Sequence, residues 1–125
     1  MIVNDPETLA EVTALFEAYE KALVTNDVPV LDGFFRDAPQ TIRYGVRENL
    51  YGYEEIKAFR AARPGQGLER KLERTSITTY GRDLATCSTM FRRENSVRTG
   101  RQMQTWARFS EGWRIVAAHV SLMEV

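Results

Sequence analysis

The 125 residues contain one cysteine, Cys87, and one histidine, His119. A lone cysteine excludes an intramolecular disulfide and fits a reducing cytoplasm, which is the expected location. One Cys and one His cannot supply the usual zinc ligand set, so no metal and no cofactor are expected. Cys87 lies in the apolar-alternating run 84–91 and reads as a small buried hydrophobe rather than a nucleophile. An excess of one charge is also missing: seventeen basic residues face seventeen acidic ones, interleaved along the chain. A nucleic-acid binder is usually basic on one face, so no nucleic-acid partner is expected. No apolar run approaches the roughly 18 residues of a membrane span, and the opening MIVNDPETL does not read as a signal peptide. No paired carboxylates suggest acid–base work, and no Ser-His-Asp arrangement can be assembled. Repeats, linkers and low-complexity tracts are absent.

What is present reads as one ordinary globular domain over 1–125, with 43% apolar and 27% charged residues. Its clearest part is the C-terminal stretch. Two runs rich in aromatic and β-branched residues, 102–109 and 113–122, flank Ser110-Glu111-Gly112 and predict a hairpin. Strict alternation puts Trp113, Ile115, Ala117, His119 and Ser121 on one face of the last strand. Arg114, Val116, Ala118, Val120 and Leu122 fall on the other. Both faces are mostly apolar, so both are expected to be covered.

Upstream, Asp5 and Pro6 form a helix start, and Leu9, Val12, Phe16, Tyr19 and Leu23 make one apolar stripe. Asp27 opens a short helix over 28–35 with Leu31, Phe34 and Phe35 turned inward. Short strands are expected at 41–44 and 48–51, and a third helix at 53–63. Pro64-Gly65-Gln66-Gly67 is a loop. Strands follow at 69–80, 84–94, 98–109 and 113–122. The layout is α+β: a curved antiparallel sheet wrapped around N-terminal helices, forming a cone with an internal pocket. The outer sheet face, with Val116, Val120 and Leu122, is left uncovered. A homodimer made sheet to sheet is therefore expected.

The helix–helix–strand start and the ending W-R-I-V-A-A-H-V-S resemble the SnoaL-like branch of the nuclear transport factor 2-like superfamily. Shorter stretches are more specific: T-I-R-Y-G at 41–45, E-N-L-Y-G at 48–52, F-R-A-A-R-P at 59–64, I-T-T-Y-G at 77–81, G-R-Q at 100–102 and Q-T-W at 104–106. These are similar to the AtzH-like family, whose members accompany amidase-type enzymes in ureide and s-triazine ring catabolism. The resemblance implies a decarboxylating amidohydrolase step of cyanuric acid catabolism, in which 1,3-dicarboxyurea loses one carboxylate to give allophanate. It further implies that a Tyr on the first helix and an Arg on the first strand carry the reaction; the matching positions are Tyr19 and Arg43. Some relatives sit beside oxalurate-degrading enzymes, so the ureide can differ.

Read from the residues alone, each candidate has two readings. Tyr19 lies on the apolar stripe, either as a core tyrosine bonded to backbone or as a proton donor. Arg43 is solvated, or points into the cone if Ile42 faces outward. An inward Arg43 needs a carboxylate neighbour or an anionic ligand. Arg60, Arg63, Gln104 and His119 complete the candidate substrate-binding set. Against it stand a wet helix face for the two arginines, an exposed strand position for Gln104 and a satisfied imidazole for His119. The expected partner is a small anionic carboxylated urea. Two rival classes stay open: an isomerase or cyclase acting on an apolar substrate, which would need an interior carboxylate base, and a small-ligand-binding module without catalysis.

Overall fold

The computed structural model describes residues 1–124. The chain opens with α1 (Pro6–Val24), whose N-terminus is capped as its sequence requires: the Asp5 carboxylate accepts from the Thr8 amide at 3.1 Å and the Thr8 hydroxyl at 2.7 Å. Val12, Phe16, Tyr19 and Leu23 of the expected stripe are buried, joined by Thr8 and Ala22. Next come α2 (Val28–Phe34), the short strands β1 (Ile42–Tyr44) and β2 (Asn49–Tyr51), and α3 (Tyr53–Ala62). Four long strands follow: β3 (Lys71–Tyr80), β4 (Leu84–Arg92), β5 (Gly100–Phe109) and β6 (Gly112–Leu122). Every expected element is present, with ends within two residues of expectation, the usual fraying range.

One sheet holds all six strands in the order β2-β1-β6-β5-β4-β3. All pairs are antiparallel except β1 with β6, which run parallel. The parallel pair exists because the chain crosses from α2 to the far edge of the sheet. It is tacked down on the way by a bridge from Phe35 to Ile115. The helices cover one face. Val12, Phe16, Leu31, Ile56, Trp106 and Ile115 are almost fully buried in the interface, each worth about 1.5–3 kcal/mol relative to exposure.

A β-bulge corrects the expected facing of the last strand. Thr105 pairs with Ala117 but Trp106 pairs with Ile115, which leaves Val116 as the extra residue in β6. Trp113 and Ile115 therefore face the helices together with Ala118 and Val120, the cross-strand partners of Gln104 and Gln102. Ala117 and His119 face out, opposite Thr105 and Met103. The uninterrupted alternation placed Val120 outside and His119 on the Trp113 face; one inserted residue reverses both.

Candidate functional site

The bulge fixes what lines the cone. Ala118 sits between Arg43 of β1 and Gln104 of β5, and Cys87 of β4 follows Gln104, so all four share the inner face in one row across the sheet. With strands about 4.8 Å apart, the Arg43 and Gln104 backbones stand roughly 10 Å from each other across the small Ala118. Ile42 and Tyr44 pair with the outward Ala117 and His119, which turns Arg43 inward.

Arg43 has the carboxylate neighbour that an inward position demands. Its Nη1 donates to Glu48 Oε1 at 3.1 Å, and its guanidinium lies 5.6 Å from the centre of the Phe59 ring. Glu48 reaches back over Gly45, where a Cβ would overlap the carboxylate, so glycine there is what lets the pair form. Tyr19 packs its ring against Phe34 and Phe35 at 5.9 and 6.4 Å. The ring is buried, yet its hydroxyl takes part in none of the side-chain hydrogen bonds among the described residues. It is close enough to Arg63 to support that guanidinium's charge.

Arg60 and Arg63, one turn apart on and just after α3, differ in kind. Arg60 is 3% exposed, donates to Asp32 at 2.7 Å and lies 4.8 Å over the Phe35 ring. It is an ion pair tying α3 to α2, with Nε buried and unpartnered. Arg63 has no carboxylate within ion-pairing distance among the described residues, and both its Nε and Nη2 are buried without an acceptor. Burial lowers its pKa, and repulsion from Arg60, Arg43 and Arg93 acts the same way while Tyr19 opposes it. A guanidinium stays cationic through such a shift. Arg93 repeats the pattern: burial and then Arg70 lower its pKa, and Glu20 partly offsets them.

Gln102 and Gln104 are 2% and 1% exposed on the inner face of β5. The Trp106 indole N–H donates to Gln104 Oε1 at 3.0 Å, and Arg70 donates to Gln102 Oε1 at 2.9 Å. Arg70 is itself held by two bonds to Glu20 at 2.9 and 2.7 Å, and it stacks on Phe91 beside Arg93. The Phe91 ring lies directly on Gly100, where any Cβ would collide with it. Each glutamine oxygen is thus occupied and each NH2 is left with no protein acceptor. Of the seven buried side-chain polar atoms without partners among the described residues, five are N–H donors: Arg60 Nε, Arg63 Nε and Nη2, and the Gln102 and Gln104 amides. A buried unpaired donor costs about 1–3 kcal/mol, so each of these groups would gain from an acceptor-rich, anionic partner.

The structure brings Tyr19, Arg43, Arg60 and Arg63 to the cone interior, with Gln104 on its sheet wall. It removes His119 from the set: the imidazole is exposed on the outer face, edge-on to Tyr44 at 5.9 Å. The reason is the bulge at Val116. Several contributors were not singled out from sequence. Glu48 carried a signal, being five residues after Arg43 across a tight hairpin. Asp32, Glu20 and Arg70 carried none, since their partners lie 28 to 50 residues away. A cleft of about 640 Å³, lined by Gly65–Lys71 with Val24, Arg92, Glu94 and Asn95, opens beside Arg70. Its side chains are mostly solvated, and none of the unpaired buried donors lines it. The outer face carries a shallow apolar depression of about 290 Å³ lined by Ile42, Tyr44, Met103, Thr105, Ala117, Ala118 and His119. No helix among the described residues is long and apolar enough to cross a membrane.

A family model described as AtzH-like matches residues 1–125. A solved structure from Pectobacterium atrosepticum, described as a protein with unknown function, is 61% identical, with a TM-score of 0.96 over 98% of this chain and 95% of that one. A cystatin-like fold protein from Burkholderia xenovorans is 48% identical, with a TM-score of 0.96 over 100% and 98% of the two chains. A nuclear transport factor 2-like protein of unknown function from Pseudomonas putida shares the fold alone, at 16% identity and a TM-score of 0.77 over 92% and 86%. No curated protein sequence matches the chain.

Proposed function

The chain belongs to the AtzH-like family, and from that premise we propose that it is a cofactor-free decarboxylating amidohydrolase acting on a small N-carboxylated urea. The observation that carries this reading is the set of buried donors without acceptors, gathered beside a tyrosine whose hydroxyl is free of protein bonds. An apolar substrate would leave those donors unsatisfied, which disfavours the isomerase and cyclase alternative.

The reaction needs few groups. In 1,3-dicarboxyurea each terminal carboxylate is bonded to a urea nitrogen. When that C–N bond breaks, its electron pair goes to nitrogen, carbon dioxide leaves, and nitrogen takes one proton; the product is allophanate. Arg43 and Arg63 hold the carboxylates. Arg43 meets the substrate by exchanging part of its bond to Glu48 for a carboxylate, whereas Arg63 has no bond to give up. Tyr19 delivers or relays the proton.

The decisive experiment is carbon dioxide release from a panel of carboxylated ureas, with Arg43→Lys alongside the parent. Lysine keeps the charge and loses the planar fork. Turnover on 1,3-dicarboxyurea reduced by roughly 10²-fold in the variant supports the reading. Absence of release by the parent on every member of the panel would falsify it.

Two copies are also proposed to pair through the outer sheet face, where Ile42, Tyr44, Met103 and Ala117 lie together around the depression, Met103 being 57% exposed. The cytoplasm is the proposed location.

A further inference from the structure

Two amides with consumed oxygens are a different recognition element from a guanidinium. A glutamine in a pocket normally offers one acceptor and two donors, and either end can turn toward a ligand. Gln102 and Gln104 cannot turn without loss. The Trp106 indole has only a donor, and so has Arg70, so each requires the glutamine oxygen on its own side. The NH2 groups therefore face away from Trp106 and Arg70, buried and unpartnered. Arg70 is locked in turn by two bonds to Glu20, and Trp106 is fully buried. The two glutamines are alternate residues on one face of β5, so their backbones stand roughly 7 Å apart along the strand. Gln104 shares its row with Arg43, and Gln102 lies one step toward Phe91, where Arg70 and Arg93 sit.

The interior thus holds two kinds of donor. Charged forks match carboxylates. Neutral amide donors match a neutral carbonyl oxygen, for which a guanidinium would be a needless second charge. We propose that Gln102 and Gln104 are specificity-determining residues that read the carbonyl oxygen between the two anionic ends of the ligand. They select ureido acids over plain dicarboxylates of the same length. This rests on the reading of the site as a holder of small dianions. Trp106 and Arg70 are positioning residues that act only through the amides.

The test uses two five-carbon dianions, 3-oxoglutarate and glutarate, which differ in the central carbonyl alone. Binding to the intact protein is measured by isothermal titration calorimetry, with freshly prepared 3-oxoglutarate. The parent should bind 3-oxoglutarate about tenfold or more tightly than glutarate, as expected for hydrogen bonds available to one ligand and denied to the other. Gln102→Met and Gln104→Met keep side-chain length and remove the donors; in Gln104→Met the thioether remains a weak acceptor for Trp106. Each variant should lose most of the preference by weakening 3-oxoglutarate, with glutarate affinity unchanged. Thermal melts check that each variant is folded, and the parent comparison stands even if one is not. Equal binding of both dianions by the parent overturns the amide assignment and leaves the dianion site intact. So does an equal loss of both ligands in folded variants. Binding of neither dianion by the parent overturns the assignment together with the functional reading beneath it.

Discussion

The same strands line both ends of the cone, yet the two ends obey different rules. At the closed end Trp106, Ile115, Ala85 and Val12 meet with no exposed surface, and Phe34 packs edge-on against Trp106 at 5.8 Å. Two residues along β5 from Trp106 the wall turns polar, and its glutamine donors go unpaired. Arg60 and Arg63 repeat the contrast within one turn of chain, the first closed by Asp32 and the second open. Burial alone therefore does not separate structural from functional residues here. Between Arg60 and Arg63 the difference lies in whether a carboxylate already meets the guanidinium, because a satisfied group has less to gain from a ligand; Arg43, held by Glu48, stands between the two.

Substitutions on the two sides of that contrast should behave oppositely. The largest effect is expected on the open side. Tyr19→Phe removes only a hydroxyl that has no protein hydrogen bond, so turnover should fall by roughly 10²–10⁴ while the melting temperature hardly moves. Stopped-assay kinetics and thermal melts on one preparation check this; a stability loss with normal turnover would place Tyr19 on the closed side. Asp32→Ala is the mirror experiment. It strands a guanidinium that is 3% exposed, and should cost about 3–5 kcal/mol in denaturant unfolding. If the unfolding midpoint stays put, the Arg60 pair is not the structural tie described.

Smaller effects probe the outer face and the core thiol. Ala117→Asp would bury an unpaired charge in the proposed dimer. Light scattering should shift from twice the 14.3 kDa chain mass toward the monomer. The inward Val120 is the wrong place for that test, since a charge there would disturb the cone. A parent that is monomeric at micromolar concentration removes the sheet-to-sheet pairing. Least of all should happen at Cys87, where burial pushes the thiol pKa up to about 12. Iodoacetamide at pH 8 should leave the native protein unmodified and label it once it is unfolded, as mass spectrometry would show.

Periodicity and capping made the elements readable in advance: the Asp5 cap, the α1 stripe, the four long strands and the hairpin were all in the one-dimensional pattern. The inward Arg43 was not: the pattern favoured a solvated arginine, and only the pairing of Ile42 with the outward Ala117 decided its direction. Tyr19 and Arg43 came from the likeness to a family rather than from spacing. His119 was misplaced because alternation assumes an unbroken pleat, and a single extra residue at Val116 inverts every side chain beyond it.

What the sequence determined by itself was local: which segments become helix or strand, and which residue types are available to hold an anion. Hydrophobic period, caps and turns act over a few residues and are written in the order of the chain. Only the tertiary structure decided which arginines are satisfied. Asp32 reaches Arg60 across 28 residues, and Glu20 reaches Arg70 across 50. No comparable partner reaches Arg63 among the described residues. Pairing of that kind depends on where folding brings distant side chains, and the cost of a buried donor left unpaired exists only once the sheet has closed over it.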